Sequence, residues 1–201
     1  MAYDAEDTRR RIFEAATAEF ARYGLAGARV GRIAEEARAN KQAIYLYYGS
    51  KEKLFAAVVR AKLEEVSRSV SIDPDAVAES IGQMFDWYQE HPELIRLLLW
   101  EALEAGGAGA GDAERREAFR GKVRFLADSG VVPEREQAEC VRAGQDLLFT
   151  LMGLIAWNFA VPGMCRAVLD EDDECAAYAR RRRHVIDTAR LLTSAYARSL
   201  S

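Results

Sequence analysis

The stretch RIAEEARANKQAIYLYYGSKEKL, residues 32–54, carries the signals of two short helices joined by a tight turn. Ile33 and Ala34 lie on the inner side of a helix predicted over residues 30–37, and Asn40 is a favourable N-cap for a second helix over 41–47. Gly49 ends that second helix after barely two turns. Two helices joined by a three-residue turn form a helix-turn-helix, whose second helix enters the major groove of DNA.

The second helix contains three tyrosines, Tyr45, Tyr47 and Tyr48, which cannot all face one small core because successive helical residues lie 100° apart. We expect Ile44 to pack against a core that contains Phe20, Ile33 and Ala34. Six residues are then available to face a partner: Lys41, Gln42, Ala43, Tyr45, Leu46 and Tyr47. Without the surrounding helix-turn-helix, a short tyrosine-rich helix would more often indicate packing than recognition.

The charge distribution agrees with a nucleic-acid partner for the N-terminal part only. Residues 1–62 carry 12 Lys/Arg and 8 Asp/Glu, whereas residues 63–201 carry 16 and 24, in a chain of net charge -4. A basic head on an acidic body indicates that the head alone meets a polyanion. The four consecutive arginines at 180–183 follow an acidic run at 170–174, so a solvated or intersubunit face is preferred there to a second nucleic-acid patch.

Helical periodicity runs through nearly the whole chain, and no strand alternation or internal repeat interrupts it. The predicted fold is all-α with about nine helices, which span residues 12–24, 30–37, 41–47, 51–70, 75–90, 93–105, 112–128, 134–160 and 172–199. A helix-turn-helix domain over 1–50 would be linked by the helix at 51–70 to a second helical domain over 71–201. The longest apolar run, 147–161, is too short to span a bilayer comfortably.

The cysteines and the N-terminus predict a cytoplasmic protein. Cys140, Cys165 and Cys175 are odd in number and follow no metal-binding spacing, which is typical of reduced thiols. The first residues carry charges of both signs and lack the apolar region of a signal peptide. Because no Ser/His/Asp or Cys/His constellation stands out, we expect neither an enzyme nor a metal or cofactor site.

Residues 9–59 closely resemble the N-terminal DNA-binding domain of the TetR family of bacterial transcriptional regulators. The resemblance rests on the Ala16/Phe20/Gly24 pattern, the Ile33-Ala34 pair, Tyr45, Tyr48 where the family usually has Phe, and Ser50-Lys51-Glu52. It implies that Tyr45, Tyr47 and Lys51 contact backbone phosphates. It also implies that Lys41, Gln42, Ala43 and Leu46 lie near base edges, where Gln can pair with adenine and apolar groups can meet a thymine methyl.

Two positions depart from the family pattern. Arg38 stands where the family usually has Gly, which puts a side chain at a turn position that favours positive φ. Ala28 and Arg29 replace the usual Ser/Thr cap of the preceding helix, and such a cap is worth about 1 kcal/mol. Arg29 gains a phosphate contact in exchange.

The resemblance implies that the C-terminal domain senses a ligand and dimerises, and the stretch HPELIRLLLWEALEAGG at 91–107 resembles the sixth-helix region of several family branches. The last two helices carry apolar positions too broad for one core-facing stripe, so we expect an exposed dimer interface that includes Leu148, Leu151, Ile155, Leu192 and Tyr196. Aromatic residues are expected to line an apolar effector pocket: Phe85, Tyr88, Trp100, Phe125, Phe149 and Trp157.

Together these features predict a homodimeric repressor that a small, largely apolar or aromatic molecule releases from a palindromic operator. Two alternatives stay open. The protein could be an activator or a regulator whose ligand promotes DNA binding, or the body could be a small-molecule enzyme or carrier with a vestigial DNA-binding head. The absence of a paired acid and base argues against the enzyme.

Overall fold

The structure is a computed structural model, and it describes residues 2–104, 112–128, 131–132 and 136–198. All regular secondary structure within these residues is helical, which confirms the all-α prediction. The helices are α1 (Ala2–Gly27), α2 (Val30–Glu36), α3 (Lys41–Tyr48), α4 (Lys51–Ser69), α5 (Val77–Glu90), α6 (Glu93–Glu104), α7 (Asp112–Asp128), α8 (Gln137–Ala160), α9 (Pro162–Leu169) and α10 (Glu174–Arg198), with a 3₁₀ turn at Pro74–Ala76 before α5.

Nine of these helices correspond to those predicted, and the additional one is α9. The first helix begins at Ala2 rather than near residue 12, and it kinks at Gly24 instead of ending there. Helix α9 starts with Pro162 in its first turn, where the missing N–H costs no hydrogen bond, and it ends at Asp170, whose φ is 50°. The sequence predicts the end of a long helix at Val161 and Pro162, and α9 has neither a side-chain N-cap nor a buried residue that would mark a new helix.

The described chain divides into two compact units that do not follow chain order strictly. The N-terminal unit contains residues up to Glu65 together with those from Pro92 to Glu104, so α6 belongs to it. The C-terminal unit contains Val66–His91 and the described residues from Ala113 onward. The predicted split at 50 and 71 assigned the α6 segment to the body, whereas α6 packs against α1. The assignment of functions to separate domains stays a prediction.

The core of the N-terminal unit is built where α1 packs against α2 and α6. Ile44 is buried with Phe20, Ile33 and Ala34, as the sequence predicted. Phe20 also meets Phe55 edge to face, with ring centroids 5.1 Å apart. This shared core holds the two-turn helix α3, which is too short to be stable alone.

The C-terminal unit is organised around α5, which packs against α8 and α10. A Cβ built on Gly82 of α5 would lie 2.7 Å from Ile186 Cδ1, so a larger residue there would force the Ile186 side chain of α10 to shift. None of the described helices alone is long and apolar enough to cross a membrane; the bent pair Ala138–Ala160 and Pro162–Leu169, at 90°, reaches that length and composition together.

Candidate nucleic-acid interface

The ends of α3 are fixed by local hydrogen bonds that the sequence predicts. The side chain of Asn40 accepts the N–H of Ala43 at 2.7 Å, which caps the first turn. At the other end Gly49, with φ at 81°, donates its N–H to Tyr45 O at 2.8 Å. Asn40 and Gly49 therefore set the length of the candidate recognition helix at eight residues.

The turn between α2 and α3 holds Arg38 in the left-handed region. Its φ is 49°. A positive φ is predicted because the family usually has glycine at this position. The N–H of Ala39 donates to Ala34 O at 2.9 Å, and Arg11 Nη1 donates to Ala37 O at 3.0 Å. The turn is thus tied both to α2 and to α1.

The start of α2 has lost its side-chain cap, and Glu19 of α1 compensates for it. Arg29 occupies the N-cap position without a side-chain hydrogen bond. The buried carboxylate of Glu19 accepts the N–H of Arg29 at 2.8 Å and Nε of Arg32 at 2.8 Å. Arg32 in turn lies 4.4 Å from the ring centroid of Tyr23. Sequence reasoning missed Glu19, although a carboxylate at a core-facing position of an amphipathic helix was a signal for it.

The ionisation of Glu19 is favoured by these partners. Burial alone would raise the pKa of Glu19, but hydrogen bonds from the Arg32 side chain and the Arg29 N–H outweigh it and lower the pKa below its usual range. The carboxylate is consequently charged near neutral pH and holds α1 and α2 together through a charge-assisted bond.

The structure places the predicted base-reading side chains of α3 on its outer side. Lys41, Gln42, Tyr45 and Leu46 are exposed, and Leu46 is 81% accessible. Ala43 and Tyr47 are partly exposed. Lys41 lies over α2, where a Cβ on Gly31 would be 3.3 Å from its Cε.

The two basic residues predicted to hold phosphates differ in their surroundings. Arg29 is exposed at the start of α2. Lys51 is partly buried at the start of α4, and its Nζ donates to Ala28 O at 3.2 Å. An ammonium has three N–H donors, so Lys51 can serve this carbonyl and still meet a phosphate.

Two family profiles match the chain in chain order. The family described as "Bacterial regulatory proteins, tetR family" matches residues 12–58, which include α2, the turn and α3. The family described as "Tetracyclin repressor-like, C-terminal domain" matches residues 76–190.

The chain belongs to the TetR family.

Individual relatives agree with this assignment to the TetR family of DNA-binding regulators. The HTH-type transcriptional repressor SCO4008 of Streptomyces coelicolor is 46% identical over 176 residues, which cover 86% of this chain and 88% of that protein. The HTH-type transcriptional repressor NicS of Pseudomonas putida is 34% identical over 112 residues, or 52% of this chain and 53% of that protein. Among solved structures, the chain superimposes on SCO4942 from Streptomyces coelicolor, which is described as a transcriptional regulator, with a TM-score of 0.75 at 30% identity. The match covers 90% of this chain and 96% of the SCO4942 chain.

The aromatic residues predicted to line an effector pocket of this TetR-family protein are not brought together as one set. Phe85 and Tyr88 are buried and share Phe159 as a neighbour, with centroid distances of 5.0 and 6.1 Å. Tyr178 of α10 completes that cluster at 5.5 Å from Phe159. Burial raises the pKa of Tyr88 to about 12, so its hydroxyl stays protonated. Sequence reasoning missed Tyr178, since a tyrosine beside the arginine run of α10 gave no signal of a pocket.

The other four predicted pocket residues lie elsewhere. Phe125, Phe149 and Trp157 are exposed by 46%, 78% and 61%. Trp100 belongs to the N-terminal unit, where its Nε1 donates to Ala21 O at 3.4 Å. Aromatic content alone does not tell a buried ring from one on an open helix face.

The expectation that Leu148, Leu151 and Ile155 are exposed is wrong. All three are buried within a single chain, and Leu148 packs with Val123 and Leu126 of α7. Leu192 is half-buried, and the side chain of Tyr196 lies outside the described residues. Because α8 has neighbours on more than one side, these leucines serve the chain's own core.

The open face of α8 is instead divided into a polar and an apolar half. Its N-terminal half exposes Glu139, Arg142, Gln145 and Asp146. Its C-terminal half exposes Thr150 and also Phe149, Gly153 and Trp157, which follow each other at intervals of four residues and so share one face. We call these three residues the apolar α8 face. A Cβ on Gly153 would meet nothing within 4 Å, so a notch separates the two rings.

The arginine run at 180–183 is used mainly inside the C-terminal unit. Arg180 Nη2 donates to Leu169 O at 2.8 Å, and Arg181 Nε donates to Asn158 Oδ1 at 2.8 Å. Arg182 forms a two-pronged pair with Asp86, at 2.6 and 2.8 Å. Three of the four arginines therefore tie α10 to α9, α8 and α5. Their guanidinium groups are used within the chain, which argues against a second nucleic-acid patch at this run.

Proposed function

We propose that the protein is a homodimeric transcriptional repressor that binds a palindromic operator and leaves it when a small, largely apolar or aromatic molecule binds. The observation that carries the proposal is the outer side of α3, where Gln42, Tyr45 and Leu46 are exposed on a helix that caps and core packing hold rigid. SCO4008 and NicS, which carry the name of repressors, support that sign of regulation.

In the proposed complex α3 enters the major groove with two kinds of contact. Gln42 would pair with adenine, Lys41 would donate to guanine or phosphate, and Ala43 and Leu46 would meet thymine methyl groups. A second set would grip the backbone without reading sequence and so fix the register: Arg29, Tyr45, Tyr47 and Lys51.

We propose a dimer for two reasons: the apolar α8 face is exposed, and a palindromic operator has two half-sites to be read. Phe149 and Trp157 expose rings that water would otherwise surround, and the Gly153 notch between them can receive a ring from a second copy. Two recognition helices related by a twofold axis read the two halves of a palindrome. A cytoplasmic location follows from the operator, which lies on the bacterial chromosome.

The effector is proposed to act at the aromatic cluster of Phe85, Tyr88, Phe159 and Tyr178, of which the first three are buried. An effector must bind the DNA-incompetent arrangement more tightly than the competent one if it is to release the operator. The buried rings of α5 and α8 and the half-buried Tyr178 ring of α10 offer stacking surfaces to a flat apolar molecule that replaces their mutual contacts.

The test begins with selection of duplexes from a random library by the purified protein. We expect an inverted repeat, and affinity that falls steeply with salt. Gln42→Ala should cost about 1 to 3 kcal/mol on the selected duplex and relax preference at one symmetric pair of positions. Lys51→Ala and Tyr47→Phe should instead weaken binding to all sequences alike. Recovery of no preferred sequence would contradict the proposal.

Transcription in vitro from a promoter that carries the selected duplex distinguishes repression from activation. Added protein should lower transcript yield, and a library of small aromatic and apolar compounds should contain members that restore it. Increased transcript would make the protein an activator. Chemical turnover of a compound by the purified protein would instead favour the enzyme alternative.

A further inference from the structure

Three consecutive arginines near the start of α1 have different surroundings. Arg10 is paired with Asp7 at 2.6 Å and with Glu14 at 2.9 Å. Arg11 pairs with Asp7 at 2.9 Å and donates to Ala37 O. Arg9 is exposed, and its guanidinium carbon lies 5.5 Å from the ring centroid of Tyr47 and 5.9 Å from that of Tyr48. Arg9 is thus held by aromatic rings of α3 rather than by a carboxylate.

Because its partners are aromatic rings, Arg9 keeps N–H donors that can bind a further group. A guanidinium that lies over a ring is attracted by the π-electrons, and a hydrogen bond to the Tyr48 hydroxyl still leaves most of its five N–H groups as donors. Those donors match a phosphate in a two-pronged geometry. No acidic side chain pairs with Arg9 among the side chains that the structure describes, so its charge is not neutralised locally. The charge of Arg10, by contrast, is compensated by Asp7 and Glu14.

The position of Arg9 is coupled to α3 by a second contact. Tyr48 Oη donates to the carbonyl oxygen of Arg9 at 3.4 Å, which ties the backbone of α1 to the end of α3. Arg9 therefore keeps its place relative to Tyr47, which is proposed to hold a phosphate. A basic side chain beside a residue that contacts one phosphate lies where it can contact a neighbouring phosphate, and such contacts fix the register of the protein on DNA.

We propose that Arg9 is a further DNA contact, which binds a backbone phosphate beside the one held by Tyr47, with the rings of Tyr47 and Tyr48 as its platform. This inference rests on the proposed placement of α3 in the major groove. It adds the start of α1 to the DNA-binding surface, so each protomer grips the backbone from two helices.

The experiment compares Arg9→Gln with the matched neighbour Arg10→Gln on a short duplex of mixed sequence over a series of salt concentrations. Loss of one phosphate contact lowers the slope of log affinity against log salt by about 0.9 per protomer. We expect that loss for Arg9→Gln, a smaller change for Arg10→Gln, and a slope close to the wild type for Arg9→Lys. Tyr47→Leu, which removes the platform, should reduce the effect of Arg9→Gln.

Circular dichroism and thermal unfolding of all four variants serve as the control for folding. Equal slopes for Arg9→Gln and Arg10→Gln, with the wild type binding DNA normally, would overturn the Arg9 contact alone. Wild-type protein that binds no duplex in a salt-dependent way would overturn the proposed function as well as this contact. A slope loss in Arg9→Gln that Lys restores supports a charge contact, since a purely structural role would change the unfolding temperature instead.

Discussion

Glu104 Oε2 accepts the backbone N–H of Leu25 at 2.7 Å, and it also accepts that of Ala26 at 3.0 Å. These two N–H groups follow the kink in α1 at Gly24, where φ is 68° and ψ is -178°. Trp100, one turn before Glu104 in α6, donates to Ala21 O on the other side of the kink. The end of α6 thus replaces the helical bonds that α1 loses when it bends.

Gly24→Ala should destabilise the protein strongly. The backbone conformation of Gly24 belongs to a region that only glycine occupies readily, and a residue forced into such a region costs of order 1–3 kcal/mol. A Cβ there would also lie 2.5 Å from Glu104 Oε1 and 2.8 Å from the Trp100 ring. Urea unfolding should show a loss of at least about 2 kcal/mol.

Gly121→Ala is the matched control for this substitution. Gly121 lies inside α7, and a Cβ there would meet nothing within 4 Å, so alanine should stabilise the helix by roughly 1 kcal/mol. Equal changes in the free energy of unfolding for Gly24→Ala and Gly121→Ala would contradict the conclusion that the kink in α1 requires glycine.

Glu19→Ala should lower the free energy of unfolding by about 1 to 3 kcal/mol, because it leaves the Arg29 N–H and the Arg32 guanidinium without their buried acceptor. Glu14→Ala, which removes an exposed partner of Arg10, is the control and should change little. DNA affinity should fall with Glu19→Ala even though Glu19 cannot touch DNA favourably, since α2 supports α3.

The contribution of Glu19 to the free energy of unfolding should decrease as the pH is lowered. Because its pKa is lower in the folded state than its unfolded value of about 4.3, the stabilisation is complete above that value and is lost as pH falls through the folded pKa. The stability difference between wild type and Glu19→Gln should therefore be constant near neutral pH and shrink on acidification below about pH 4.3. A difference that grew in acid would contradict the ionised state.

Arg38→Gly should stabilise the turn of the helix-turn-helix by about 0.5 to 1 kcal/mol. A left-handed residue with a Cβ costs roughly 1–2 kcal/mol, and relief of that strain exceeds the entropy that glycine adds to the unfolded chain. Arg38→Ala removes the same charge but keeps the Cβ, so it should leave stability nearly unchanged. Thermal unfolding of both variants measures the difference, and equal midpoints would show that the turn is unstrained.

The sequence predicted most accurately those features that depend on near neighbours. Asn40, Gly49 and Arg38 are local signals, and the structure shows the cap, the helix end and the positive φ that they indicate. Features that depend on distant segments were missed. Glu19 meets Arg29 only after α1 and α2 have packed, and no pattern in residues 137–160 reveals which side of α8 the chain itself will cover.

Burial of Leu148, Leu151 and Ile155 shows this limit most clearly. The periodicity of α8 correctly indicated apolar positions on more than one side, but it could not assign one side to the chain's own core and the other to a partner. The structure shows only which side the chain itself covers: Leu151 is 1% exposed, whereas Phe149 is 78% exposed. The proposed interface therefore moves from the leucines to the apolar α8 face.

The last prediction uses this division to separate dimerisation from folding. Trp157→Glu and Phe149→Glu place a charge on an exposed face, so the isolated chain should fold, while a dimer would have to bury an unpaired charge. Leu151→Glu puts the same charge into the core of one chain and should unfold it. Gln145→Glu, on the polar half of the open face, is the control and should leave the assembly intact.

Sedimentation velocity and circular dichroism together give the answer. We expect wild type and Gln145→Glu to sediment as dimers, Trp157→Glu and Phe149→Glu as helical monomers, and Leu151→Glu to lose helicity. Affinity for the selected duplex should collapse in the two monomeric variants although α3 is unchanged, because each half-site alone supplies only part of the binding free energy. A Trp157→Glu protein that remains a dimer and binds the duplex as tightly as wild type would exclude the apolar α8 face as the interface.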